Sequence, residues 1–252
     1  LPGRGTGQCF AHDQAPPRLA RPPFPAGTAP LTAAVIGATG GIGRALADAL
    51  EAGGTPVMRF GRGTSPGIDL LDENSIAACA AAAGPGLRLV IDATGFLHDG
   101  RFQPEKSLRQ LDPAHMAHSF AVNAAGPALL MKHFLPLLAR DGRAVFATLS
   151  ARVGSIADNH LGGWYSYRAA KAALNQMVRT AAIELARTRR EAICVALHPG
   201  TVHTGLSGPF AKAGLEVQSP EQAAGRLLAV IDALTPAQTG LLFDHRGERI
   251  PF

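Results

Sequence analysis

The sequence predicts an α/β fold, one domain built on a doubly wound parallel sheet with helices on both faces. Three observations carry the prediction. From residue 31 onward, short apolar runs alternate with longer segments of helical period. The first apolar run, Leu31 to Ile36, enters a glycine-rich turn and then a helical pattern, in LTAAVIGATGGIGRALADAL. With 252 residues, 46% hydrophobic and 17% charged, the chain is long enough for one substantial core, and it shows no second domain or internal repeat.

The elements follow in order. Residues 1–30 are rich in proline and glycine, carry arginines and have no apolar period. They are predicted to be a disordered extension, with a targeting presequence as the minor alternative. The first strand spans 31–37 and the helix after the glycine turn spans 42–52; the second strand follows at 56–61. Only Arg62 to Gly67 separate that strand from GIDLLD, fewer than the dozen or so residues a helical crossover needs. The helix between them is therefore missing and a third strand there is rudimentary. Next come a helix at 73–83, the strand LRLVID at 87–92, a long helix at 113–139 and a strand at 143–149. A helix at 164–188, a strand at 192–197, a helix at 219–234 and a strand at 239–243 complete the alternation. Right-handed crossovers between parallel strands make this a Rossmann-type sheet whose ligand lies at the carboxyl ends of the strands.

Composition excludes several classes of function. The net charge is +5, but basic residues are spread along the chain, and Arg187, Arg189 and Arg190 fall where a helix C-terminus favours cations, so nucleic-acid binding is not expected. Apolar runs such as AAVIG are too short for a membrane span, and ALLMKHFLPLL is broken by charge and proline. Cys9, Cys79 and Cys194 are odd in number and have neither metal-ligand nor C-x-x-C spacing. That pattern suits a reduced compartment, so a cytoplasmic protein without a metal site is expected.

Two motifs carry chemistry. Gly37, Gly41 and Gly43 sit between strand and helix, where they permit a sharp turn, close approach of a pyrophosphate and tight packing of the helix. That helix's N-terminus offers free N–H groups and the positive end of a dipole to the anion. About 130 residues later, Tyr167 and Lys171 stand four apart in YSYRAAKAALNQ, on one face of a helix. An ammonium beside a phenol favours the phenolate and pulls its pKa down from about 10, which makes the tyrosine an acid–base group for a carbonyl or alcohol oxygen.

In this order and at this separation, the two motifs resemble the short-chain dehydrogenase/reductase family, over nearly everything from Leu31 to Phe252. IDATGFL (91–97) stands where the family keeps N-N-A-G, AVNAAGPALL (121–130) carries Asn123 in the long helix, and HPGTVHTGL (198–206) is similar to its P-G-x-V-x-T segment. LSARVGSI before GGWYSYRAAKAALN, and the ending FDHRGERIPF, look closer to the C-factor and Sniffer-like carbonyl reductases. The resemblance implies that Tyr167 is the acid–base group, that Lys171 lowers its pKa and bonds the nicotinamide ribose, and that Asn123 holds a water linking Lys171 to solvent. An asparagine that caps or kinks a buried helix is the alternative for Asn123. Cofactor contacts are implied for Gly37, Thr39, Gly41, Ile42, Gly43, Ala93, Gly95, Pro199, Gly200, Val202 and Thr204, and for Asp69, which would meet the adenine amine unless it only caps a turn. Asp92 replaces an asparagine and is read as tolerated variation.

Cofactor choice is set at the end of the second strand, in RFGRG (59–63). No acid stands there to accept a ribose 2′-hydroxyl bond, while Arg62 can meet a 2′-phosphate, with Arg44 and Arg59 adding positive charge. NADP (as NADPH) is therefore expected in preference to NAD. The family's serine is the main departure. Counting thirteen back from Tyr167 reaches Gly154, and aligning on S-x-x-G puts Ala151 at the serine position. Ser150, at the strand end, is favoured as the substrate-orienting hydroxyl, with Ser155 the alternative.

The expected function is thus an NADP-dependent carbonyl reductase or alcohol dehydrogenase acting on a small-molecule carbonyl or alcohol. A dinucleotide-binding signalling or sensor protein with little turnover is the alternative. LSGPFAKAGLEVQ (206–218) should form a lid, with Leu206, Phe210 and Leu215 as apolar cover, while Trp164 and Phe96 line the pocket or belong to the core. His115, His118 and His133 are read as surface or packed residues. Small and apolar residues on the two long helices (Ala117, Ala121, Ala124, Ala125, Ala128 and Leu129; Ala169, Ala172, Ala173, Met177 and Ala181) predict a homodimer or homotetramer.

Overall fold

The computed structural model describes residues 32–205 and 217–252. Residues 1–30 and most of the expected lid, with Leu206, Phe210 and Leu215, lie outside the described residues. Along the chain run β1 (Ala33–Ile36), α1 (Gly41–Ala52), β2 (Val57–Phe60), α2 (Glu73–Ala83), β3 (Leu89–Asp92), α3 (Pro113–Phe120) and α4 (Gly126–Phe134). After these come β4 (Ala144–Leu149), α5 (Tyr165–Thr188), β5 (Ala192–His198), β6 (Thr201–Val202), β7 (Val217–Gln218), α6 (Pro220–Ala233), β8 (Leu242–Asp244) and β9 (Arg249–Ile250). The main sheet has seven strands in the order β2-β1-β3-β4-β5-β8-β9, parallel except for the β8–β9 pair. The chain leaves β1 for β2 on one side and then returns to β3 on the other, and that reversal opens a crevice at the strands' carboxyl ends.

Period-two alternation divides the core into two layers. Ala34 and Ile36 of β1 face one layer, with Ile76 of α2, Leu130 and Phe134 of α4, and Leu174, Val178, Ala182 and Leu185 of α5. Ala33 and Val35 face the other, with Leu46 and Leu50 of α1 and Leu227 and Ile231 of α6. Because both faces are covered, β1 reads as an uninterrupted apolar run. Truncating a fully buried Leu such as Leu174 would cost about 2–5 kcal/mol.

Side-chain caps set three of the helix starts. Asp72 accepts from Asn74 N at the head of α2, Asp112 accepts from Ala114 N before Pro113 of α3, and Ser219 and Gln222 form a capping box on α6. At helix ends, Arg189 donates to the carbonyls of Leu135, Pro136 and Leu138, and Arg143 to those of Ile231, Asp232 and Leu234.

Three expectations are corrected. The stretch after β2 forms no strand at all, because its polar groups are satisfied locally: Ile68 N bonds Gly61 O, Asp69 accepts from Leu71 N, and Asp72 caps α2. The single helix over 113–139 is α3, a π-helical turn over 121–125, α4, and then a 3₁₀ turn at 135–137. The last strand begins only at Leu242, since Thr239 is spent on Cys194, and the antiparallel β9 was not expected.

Candidate active site

The glycine turn after β1 is built for close approach. Gly37 has φ +80°, and its N–H bonds Phe60 O at 2.8 Å. A Cβ on Gly43 would lie 2.2 Å from Gly37 O, so helix and turn touch backbone to backbone. A Cβ on Gly41 would lie 2.9 Å from Thr204 Cγ2, which brings the HPGTVHTG segment across the turn. The head of α1 has no side-chain cap and no acid in its first turn, which leaves its N–H groups to an anion. Ile42 is packed against the core, and Thr39 stands against Gly61, where a Cβ would meet its Oγ1 at 2.7 Å. These features fit a dinucleotide pyrophosphate.

Beside this turn lies a cleft of about 670 Å³ at the sheet's reversal point, lined by Gly37, Thr39, Arg62, Asp69, Ala93 and Gly95 among the sequence-predicted residues. Thr94, Phe96, His98, Asp99, His118 and Val122 also line it, and of these the sequence points only to Phe96 as a pocket residue. Arg62 is exposed, while Arg59 is held by Asp48 at 2.6 Å and Glu51 at 2.7 Å. Arg59 is thereby removed from the contest for a 2′-phosphate. Asp69 closes a turn through Leu71 N, yet its side of the turn still faces the cleft. On the far side, Gly200 has φ +79°, Pro199 O accepts from Gln218, and Val202 is buried and paired through β6 to β7.

Gly95 joins this cleft to the acid–base pair. A Cβ there would lie 3.6 Å from Asn123 Oδ1 and 3.8 Å from Lys171 Nζ. Tyr167 and Lys171 share one face of α5, with Nζ 5.9 Å from the phenol ring centre. The ammonium donates to Leu149 O at 2.8 Å, and burial brings its pKa down to about 8, opposed by the charge of Asp92. The Tyr167 phenol shifts the other way from the sequence expectation: burial raises its pKa, and no charge offsets this. The physical reason is enclosure by Leu97, Ala151, Val153 and Trp164, with the ammonium committed to a carbonyl. The phenol is thus kept protonated, the form that donates a proton.

Asn123 occupies the π turn, where its Oδ1 accepts from Phe96 N at 2.9 Å and its Nδ2 donates to Phe96 O at 2.8 Å. It clamps the end of the β3 loop to the helix. Asp92 is fully buried and accepts from Thr148 at 2.7 Å and from Thr94 at 2.5 Å, and burial raises its pKa. Both candidate serines are engaged with other partners. The Ser150 hydroxyl donates to Asn175 Oδ1 at 2.7 Å, and Ser155 Oγ accepts from Asp158 N at 3.0 Å. Ala151 packs against Tyr167 instead.

Sequence reasoning missed two polar residues near Tyr167, Glu105 and Arg168. Glu105 bonds Ser166 and His115, and Arg168 donates to the carbonyls of Val153, Gly162 and Gly163, pinning the enlarged loop before α5. No local pattern marks them, since each works across tens of residues or through backbone carbonyls. The histidines divide: His115 is buried, His118 lines the cleft, and His133 bonds Glu73 at 2.9 Å. No cluster suited to a metal occurs among the described residues, and none of their helices is long and apolar enough to cross a membrane.

Known proteins are similar to this chain. The family model described as enoyl-(acyl carrier protein) reductase matches residues 67–234. The C-signal protein of Myxococcus xanthus is 39% identical over 147 residues, 58% of this chain and 84% of that protein. The 1-hydroxy-2-glutathionyl-2-methyl-3-butene dehydrogenase of Rhodococcus sp. (strain AD45) is 31% identical over 226 residues, 85% of this chain and 96% of that protein. Among solved structures, the NADPH-bound carbonyl reductase from chicken fatty liver superposes with a TM-score of 0.76 at 26% identity, covering 88% of this chain and 98% of its own.

Proposed function

Because this chain belongs to the short-chain dehydrogenase/reductase family, we propose that it is an NADPH-dependent carbonyl reductase of small, largely apolar ketones or aldehydes. The observation that carries the reading is an enclosed Tyr167 and a buried Lys171 on one face of α5, with Lys171 Nζ beside Gly95, a lining residue of the cleft that begins on the glycine turn. The NADPH-bound chicken relative supports the choice of cofactor, as does the exposed Arg62 with no acid beside it.

Gly37, Thr39, Gly41, Ile42 and Gly43 would hold the pyrophosphate, Arg62 and Asp69 the adenosine, and Ala93, Gly95, Pro199, Gly200, Val202 and Thr204 the nicotinamide half. When bound, the reduced nicotinamide supplies the hydride that reaches the carbonyl carbon. Tyr167 gives its phenol proton to the carbonyl oxygen, so the carbonyl becomes an alcohol and the phenolate is left to be reprotonated. Lys171 would hold that phenolate by charge and bond the nicotinamide ribose. Asn123 keeps the β3 loop and the π turn in register, and Leu97, Val153 and Trp164 exclude water around the phenol. Ser150 serves the core through Asn175.

A cytoplasmic setting agrees with the unpaired, buried Cys79 and Cys194. The second reading, a nucleotide-binding signalling protein with little turnover, is favoured by Ala151 at the serine position and by the likeness to C-signal. Nicotinamide fluorescence separates the two. Both bind NADPH, but only the reductase consumes it when a panel of apolar carbonyls is added. Tyr167→Phe should bind NADPH normally and turn over about a hundredfold more slowly or worse. Wild-type turnover in that variant would remove Tyr167 as the acid.

A further inference from the structure

The helix that presents Tyr167 has no cap of its own. Trp164, which precedes it, adopts a left-handed conformation with φ 53°, makes no side-chain cap, and is followed by no acid in the first turn. Glu105 supplies what is missing from sixty-one residues upstream. Its side chain is 1% exposed. Oε2 accepts from Ser166 N at 3.2 Å, Oε1 accepts from the Ser166 hydroxyl, and the Glu105 carbonyl accepts from Trp164 N at 2.5 Å. The carboxylate thus satisfies donors at the open end of α5, where a negative charge is favoured by the helix dipole. His115 Nδ1 lies 3.2 Å from Oε1, and its ring stacks on Phe102 at 5.0 Å. Phe96, whose main chain Asn123 holds, meets the same His115 ring edge-on.

Glu105 is paired with no lysine or arginine among the described residues, and a buried carboxylate of that kind is costly unless several donors converge on it. Here they do: Ser166 belongs to the start of α5, and His115 to α3, which runs directly into the π turn of Asn123. Ser166 is the residue immediately before Tyr167. We propose that Glu105 is a positioning residue: by fixing Ser166 it sets the aim and enclosure of the Tyr167 phenol and ties it to the Phe96–Phe102 wall of the cleft. This rests on the reading of Tyr167 as the acid. A carboxylate offers acceptors on both of its oxygens. A carboxamide has one oxygen, and its NH₂ would face donors.

The chain has two tyrosines, Tyr165 and Tyr167, so Tyr165→Phe leaves Tyr167 as the sole phenol to titrate. In that background, ultraviolet titration should find Tyr167 protonated well past the ordinary tyrosine value of about 10. Adding Glu105→Gln should bring ionisation back to about 10, with the thermal melt still cooperative. With a responsive carbonyl, kcat should fall about tenfold while KM and the NADPH Kd stay within about twofold. An unchanged titration in a folded Glu105→Gln chain would overturn the proposal, as would a KM that rises by as much as kcat falls. If Glu105→Gln does not fold, the pair Ser166→Ala and Ser166→Thr decides. Loss of the hydroxyl should release Tyr167 and its retention should not, and titrations of both that match the parent would refute the role. Because the titration needs no substrate, a failure of every carbonyl to react would count against the reductase reading alone.

Discussion

At the scale of single residues, the proposed function rests on how the cofactor is chosen and how the substrate oxygen is held. Arg59 is spent on Asp48 and Glu51, which leaves Arg62 as the cleft-lining cation at the β2 end. Arg62→Ala should therefore erode NADPH preference by weakening NADPH and not NADH, a loss of about 1.5–3 kcal/mol for one charged hydrogen bond. Titrating both cofactors into both proteins measures it, and unchanged selectivity would pass the role to Arg44. Ala151 is the side chain against Tyr167 where the family motif places a hydroxyl. Ala151→Ser should raise kcat about tenfold, the worth of one hydrogen bond to a developing oxyanion. Ser150→Ala, by contrast, should lower thermal stability and leave turnover nearly unchanged, since its partner is Asn175. A turnover in Ala151→Ser no higher than wild type would mean that no hydroxyl is wanted at this position.

At the scale of elements, the β1–α1 junction is the tightest part of the site. A Cβ on Gly43 would sit 2.2 Å from Gly37 O, an atom of the backbone that cannot move without opening the turn. Gly43→Ala should lower the melting temperature, through about 1–3 kcal/mol of overpacking, and weaken NADPH by tenfold or about that much. Gly225→Ala, in α6 with nothing within 4 Å of the added methyl, is the control and should be neutral or stabilising by about 1 kcal/mol. Equal behaviour of the two variants in a thermal melt would refute the backbone-contact account. The π turn over 121–125 has a related role. It places Asn123 where both ends of its amide reach Phe96, which a regular helix through Ala121 was not expected to require.

For the whole molecule, the open question is what covers α4 and α5. Met177 is 45% exposed and Ile183 47% exposed on α5. A groove of about 570 Å³ between the helices is lined by Ala128, Met131, Met177, Ala181 and Leu185. Of the alanines named from sequence, Ala124 is already buried within the chain, whereas Ala117, Ala125 and Ala169 are exposed. We expect these helices to pair across a two-fold axis, giving a mass about twice 26.1 kDa by light scattering. A mass near the single chain at every concentration would refute the pairing, and four times that mass would require a second interface.

The amino-acid sequence by itself determined the alternation of strands and helices, the glycine turn after β1, and the Tyr167–Lys171 pair, because each is a local pattern whose spacing repeats the geometry it builds. It also exposed the short link after β2, since too few residues stand there for a crossover. Only the tertiary structure decided that Ser150 turns to Asn175, that Arg59 is already paired, that burial raises the Tyr167 pKa, and that Glu105 caps α5. Each of these depends on which distant groups compete for the same donor, charge or solvent. A hydroxyl or a guanidinium carries no mark in the sequence of the partner it will find when the chain closes.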